Sequence, residues 1–133
     1  IAGNVGKSKE IDWNRYKQHV SVLGRVDSLT HVYNTSAVII APILGGAGMK
    51  IKVVEALSHG KAIVGTSKAF DGIDYQKYNA SLVVDDPLKF ANHVLKLLAD
   101  PQYRDKVQQQ AKTLYQQEHS VTALNLALNN LFS

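Results

Sequence analysis

A glycine-rich corner, Gly45-Gly46-Ala47-Gly48, set between two apolar runs constrains this chain more than any other stretch. The run Ala37-Val38-Ile39-Ile40-Ala41 leads to it and ends at Pro42. A helical stretch from Met49 to His59 follows the corner, closed by Gly60. A second apolar run, Ala62-Ile63-Val64-Gly65, then leads into Thr66-Ser67. Strand, glycine turn, helix and strand in that order form the unit that receives anionic ligands at the carboxyl end of a parallel sheet.

The flanks extend the pattern. Ile1-Ala2-Gly3 reads as the end of a strand, and the chain does not open on Met, so we expect a piece of a longer protein. Asn4 to Glu10 reads as a loop, and Ile11 to Gln18 as a short helix with Trp13 and Tyr16 turned inward. Val20 to Leu23 reads as a strand stopped by Gly24, and Asp27 or Ser28 as the cap of a helix carrying Leu29, Val32 and Tyr33. The run Ala37 to Ala41 is expected to be covered on both faces. Beyond Thr66, a loop with a helical turn around Phe70 to Tyr75 precedes a last strand, Ser81 to Val84. Asp86-Pro87 and Asp100-Pro101 are helix starts, a capping carboxylate followed by Pro in the first helical position. The first of these helices places Phe90, Ala91, Val94, Leu95 and Leu98 on one stripe. The second turns Tyr103, Val107, Ala111 and Leu114 inward, and a final helix from about Ser120 aligns Leu124, Leu128 and Leu131. Short apolar strands alternating with helices predict an α/β fold, a parallel sheet with helices on both faces, and 133 residues suit one domain.

Composition narrows the chemistry. The chain has no cysteine, which excludes disulfides and thiolate metal sites, and its five histidines are not spaced as metal-binding pairs. No metal or cofactor is expected. No apolar run reaches the roughly 20 residues of a membrane span. A net charge of +4 suits phosphate-bearing ligands, nucleic acid or an anionic surface without choosing among them.

The corner is more informative. A helix starting near Gly48 has no Ser, Thr, Asp or Asn to cap it, so its first N–H groups need water or a ligand. Lys50 and Lys52 fall in its first turn, where positive charge opposes the helix dipole by ~0.3–1 kcal/mol each. An anion at Gly46 to Gly48 relieves both conflicts; a tight turn whose lysines reach solvent is the alternative. A Walker A loop is excluded because Gly48 is followed by Met49-Lys50-Ile51, and a dinucleotide fingerprint because Ile51 stands where its third glycine belongs. With Ile51, Val54 and Leu57 expected on the sheet side, Lys52, Glu55 and His59 share a polar edge, Glu55 lying ~10 Å from the corner at 1.5 Å per residue. From there Glu55 can meet ribose hydroxyls, or simply pair with Lys52 or His59 on the surface.

Taken whole, Gly46-Ala47-Gly48-Met49-Lys50-Ile51-Lys52-Val53-Val54-Glu55-Ala56-Leu57-Ser58-His59-Gly60 with Lys61 to Thr66 resembles the C-terminal donor-binding domain of GT-B fold, group 1 (family 4-like) glycosyltransferases. Val20 to Val26 resembles that family's base-contacting strand and loop, and Phe70-Asp71-Gly72-Ile73 its segment after the Thr. The resemblance implies a Rossmann-like half of a GT-B fold, residues 1–133 forming a partial domain of a two-domain enzyme whose first βα unit and N-terminal acceptor domain precede Ile1. It assigns Glu55 to the donor ribose, Gly46, Ala47, Gly48 and Met49 to the diphosphate and sugar, and Gly24, Arg25 and Val26 to the base. Lys50 and especially Lys52 would face the diphosphate, with Thr66 on a nearby loop. The first Glu of the family's Glu-x7-Glu motif falls at Ala47. The Arg and Lys that stabilise the leaving group belong to the absent first unit, so no catalytic residue is assigned and the piece alone is expected to be inactive.

The implied activity is transfer of a hexose-type sugar from a UDP or GDP sugar to an acceptor hydroxyl, retaining by family analogy. The acceptor would be a glycan, a lipid-linked or a small molecule, with no nucleic acid partner. The expected location is cytoplasmic, with room for peripheral attachment to the inner membrane face. A non-catalytic nucleotide or nucleotide-sugar binding module is the alternative, and a dehydrogenase domain a weaker third.

Overall fold

The computed structural model describes residue 1, residues 11–79 and residues 82–132. The loop expected over Asn4 to Glu10, together with Ala2, Gly3 and Ser81, lies outside the described residues. The chain forms two compact units, Ile1–Thr35 and Ser36–Ser133.

In the first unit, Asp12 caps a single 3₁₀ turn, Trp13–Tyr16, by accepting from the Asn14 N–H at 3.1 Å. This replaces the longer helix expected to Gln18. Tyr16 is 45% exposed rather than inward, because one turn fixes too few residues to hold an apolar stripe. Residues 20–23 do not form the expected strand. Among the described residues Ile1 pairs with them: its nitrogen donates to the Ser21 carbonyl and its carbonyl accepts from Leu23 N–H. Helix α1, Thr30–Thr35, follows Ser28, whose hydroxyl accepts from the Thr30 N–H at 3.2 Å.

The second unit carries the sheet. Strand β1, Val38–Ala41, and strand β2, Ala62–Gly65, pair in parallel with Val38 opposite Ala62 and Ala41 opposite Gly65. Parallel neighbours require a crossover, and helix α2, Ile51–Ser58, supplies it. The expected last strand contracts to one parallel bridge from Gly65 to Val83. At Ile63 the side chain of Tyr78 does what a neighbouring strand would do. Its hydroxyl accepts from the Ile63 N–H at 2.8 Å and donates to the Ile63 carbonyl at 3.1 Å. Burial pushes the ionisation of that phenol well above its usual range.

Three further helices complete this α/β unit: α3, Pro87–Ala99; α4, Pro101–Leu114; and α5, Val121–Phe132. Asp86 and Asp100 cap α3 and α4 through bonds to Lys89 and Tyr103 N–H groups, with Pro at the first position of each, as the sequence dictates. A π-helical turn, Tyr115–His119, joins α4 to α5. The core lies where α2, α3 and α4 meet β2: Ala56, Leu57, Ala62, Ile63, Val64, Leu97, Val107 and Ala111 are all fully buried.

Several faces differ from the periodicity reading. Helix α4 buries Val107, Ala111 and Leu114 as expected. Helix α3 instead buries Leu97 and exposes Leu95 and Leu98, so its stripe is rotated by about one residue from the expected one. Helix α5 buries none of its residues, and Leu124, Leu128 and Leu131 are all exposed. In β1 Ile40 is 55% exposed, so the strand is not covered on both faces. A period shows which residues share a face, but not whether anything packs on that face.

Candidate functional site

The corner occupies residues 45–49, all exposed, at the carboxyl end of β1. Gly46 and Gly48 adopt φ of +89° and +75°, a left-handed conformation that costs an L side chain roughly 1–2 kcal/mol. A Cβ built on Gly48 would meet nothing within 4 Å, so backbone conformation rather than crowding explains the glycine there.

Helix α2 begins at Ile51, three residues later than the sequence suggests. Lys50 is its N-cap residue in an extended conformation, without a side-chain cap bond. The Lys50 carbonyl accepts from the N–H groups of Val53 at 2.9 Å and Val54 at 3.3 Å. Left-handed glycines cannot continue a right-handed helix, so Gly48 stays outside it. The later start moves Lys50 out of the first turn and leaves Lys52 there. It also brings Glu55 to about one turn inside the helix, ~6 Å along the axis from Ile51 at 1.5 Å per residue.

The faces of α2 shift accordingly. Val53, Ala56 and Leu57 are buried, Leu57 as expected, whereas Val54 is half-buried and Ile51 is 79% exposed, which corrects the expectation that Ile51 faces the sheet. Lys52 is exposed and Glu55 half-buried, on the side that turns from the core.

Lys50 itself bends back over the corner. Its Nζ donates to the carbonyls of Gly46 at 3.1 Å, Ala47 at 3.2 Å and Gly48 at 2.8 Å. The short spacing from Gly46 to Lys50 puts these carbonyls within reach of the ammonium, which the sequence expectation had facing a diphosphate.

The loop after β2 lies against the same corner: a Cβ on Gly72 would meet the Met49 Cβ at 3.4 Å and its Cα at 3.8 Å. One residue earlier, Asp71 pairs with Lys68 at 2.6 Å. That hydrogen bond holds the Asp71 carboxyl below the usual carboxylate range against a small desolvation, with charge from Lys68 and Lys50 adding to it. The i, i+3 spacing of Lys68 and Asp71 made the pair legible in the sequence.

Thr66 sits beside the corner but faces inward, only 4% exposed. Its hydroxyl donates to the Ile43 carbonyl and accepts from the Ala69 N–H, capping a 3₁₀ turn over Ser67–Phe70. The first bond ties the end of β2 to the segment after β1, and the second is local to the turn. Nearby, Asp85 accepts from the Ser67 N–H at 2.8 Å and from its hydroxyl, fixing the same loop. That contact, between residues 18 apart, had no sequence signal.

Gly46, Ala47, Gly48, Met49, Lys50, Lys52 and Glu55 thus share one corner and its helix, with Thr66 tied to the strand that enters it. Gly24, Arg25 and Val26 belong to the first unit, where Gly24 has φ +64° and Arg25 is exposed. Among the described residues no group of three or more His, Cys, Asp or Glu is placed to hold a metal ion. Nor is any helix among them long and apolar enough to cross a membrane.

The family model described as glycosyl transferases group 1 matches residues 1–100. A 69-residue stretch is 28% identical to an uncharacterized 44.6 kDa protein in the cps region of Klebsiella pneumoniae, covering 52% of this chain. The chain spans 18% of that relative's length.

Proposed function

The chain belongs to the group 1 glycosyl transferases, and from this we propose that it is the donor-binding part of an enzyme that moves a sugar from a nucleoside diphosphate sugar to an acceptor hydroxyl. The observation that carries the reading is the corner itself. Two left-handed glycines open onto a helix with no side-chain cap, a lysine in its first turn and a carboxylate one turn further in.

In this reading the donor diphosphate lies on the exposed backbone of Gly46, Ala47, Gly48 and Met49, where close approach is unobstructed and helix N–H groups favour negative charge. Lys52 neutralises the phosphates, and Lys50 belongs to the same site through its hold on the corner. Glu55 accepts hydrogen bonds from the ribose hydroxyls. Gly24, Arg25 and Val26 meet the base, and Thr66 fixes the loop beside the phosphates. Catalysis consists of positioning and of stabilising the charge that grows on the leaving diphosphate. Lysines and backbone N–H groups can supply that stabilisation without a metal.

The transferred group is a hexose on UDP or GDP, moved with retention. The acceptor is a glycan, a lipid-linked or a small molecule, bound by an N-terminal domain of the same protein. The proposed setting is the cytoplasm, at or near the inner membrane face, and this stretch alone is inactive. Ala47, where the motif's first Glu belongs, favours one second reading: a nucleotide-sugar binding module without turnover.

Calorimetric titration of the full-length protein with UDP, GDP, their sugars and NAD tests the proposal. The expected result is binding of one nucleoside diphosphate and its sugar, and none of NAD. Absence of nucleoside diphosphate binding would sink the donor reading, and binding without sugar transfer or donor hydrolysis would favour the binding module.

A further inference from the structure

The three bonds from Lys50 decide which way the corner's peptide groups face. An ammonium has three protons, and the carbonyls of Gly46, Ala47 and Gly48 engage them. No cis peptide bond occurs among the described residues, and a trans peptide sets its N–H opposite its C=O. Carbonyls that converge on one cation therefore turn the N–H groups of Ala47, Gly48 and Met49 away from it, and these three residues are exposed.

We infer that Lys50 is a positioning residue that holds the corner by its carbonyl groups, while Lys52 meets the ligand charge. The inference rests on the donor-binding reading only for the identity of that ligand, a nucleoside diphosphate. Moving Lys50 onto a phosphate would break all three bonds and leave three carbonyl oxygens converging without a cation between them. Their dipoles repel, and the two left-handed glycines give the backbone the freedom to rotate the peptide planes toward water. The N–H groups would then lose their common direction. A successive set of N–H groups facing one way is what lets a backbone concavity take an anion.

The test uses the full-length protein, amide NMR signals of Ala47, Gly48 and Met49 without ligand, and titration with UDP and GDP. Lys50→Ala is expected to displace those ligand-free signals and to weaken nucleoside diphosphate binding on the order of tenfold, the size of a lost charge-assisted contact. Lys50→Gln, neutral but still carrying two N–H donors, is expected to recover part of both. Lys52→Ala is expected to weaken binding while leaving the ligand-free corner signals in place. Unchanged corner signals in Lys50→Ala, or a Lys50→Gln protein no closer to native than Lys50→Ala, would overturn the inference. Signals of the buried α2 residues Val53, Ala56 and Leu57 report that each variant is folded. If the native protein binds neither nucleotide, the donor reading fails, and the ligand-free signals of the Ala and Gln variants still decide the role of Lys50.

Discussion

The two ends of helix α2 are built on opposite principles. At its carboxyl end the backbone is closed: His59 N–H bonds to Glu55, Gly60 N–H to Leu57 and Lys61 N–H to Ala56. Gly60 supplies the left-handed residue with φ +61°, packed against the Lys112 stem of α4. Ala56 and Leu57 are fully buried there. At the amino end, residues 45–49 are exposed and the side chain of the cap residue, Lys50, makes no capping bond to the helix. Helices α3 and α4 show that this chain does cap helices, each with an Asp followed by Pro. One end of α2 anchors the unit, and the other presents its backbone.

If that contrast is right, substitutions at the closed end change stability without changing binding, and those at the open end change binding whether or not they also strain the backbone. The largest effect is expected at Leu57→Ala, which empties a fully buried position on the helix that packs against β2 and α4 and costs about 2–5 kcal/mol. Denaturant unfolding would measure it, and nucleotide affinity per folded molecule should not change. A loss below about 1 kcal/mol would mean that the closed end is not the anchor.

Glu55→Ala comes next. Removing a carboxylate that accepts from ribose hydroxyls is expected to cost roughly 1.5–3 kcal/mol of binding, about 10- to 100-fold in Kd by titration. The melting temperature should move little, since Glu55 lies outside the buried stripe of Val53, Ala56 and Leu57. Unchanged affinity would remove Glu55 from the site.

Gly48→Ala sharpens the comparison at the smallest scale. The new Cβ meets no neighbour, so the expected loss of stability is about 1–2 kcal/mol from the left-handed φ alone. Affinity should fall as well, because the methyl group projects from the exposed backbone where the diphosphate is proposed to lie. A stable variant that binds normally would show that the corner need not hold this conformation.

Much of the fold was legible because its signals are local. Asp86-Pro87 and Asp100-Pro101 mark helix starts by chemistry contained in two or three residues. The path from β1 through the corner and α2 to β2 follows from apolar runs interrupted by glycine. The stripe of α4 follows from its period. What failed depended on partners far away in sequence. Whether Leu124, Leu128 and Leu131 are covered depends on what packs against α5, and nothing in their spacing states that.

The same division runs through the site. The sequence by itself determined that a glycine corner precedes an uncapped helix carrying Lys52 and Glu55, because propensity, capping and periodicity act over a few neighbouring residues. It also carried the family, since that block of residues is contiguous. Only the tertiary structure decided where the helix begins and which way Lys50 turns. Those outcomes depend on the left-handed φ of Gly46 and Gly48, and on three carbonyls converging on one ammonium. It likewise decided that Thr66 faces inward to the Ile43 carbonyl, a contact across 23 residues of chain. A residue type states which bonds a side chain can make, and the folded backbone determines which partner is within reach.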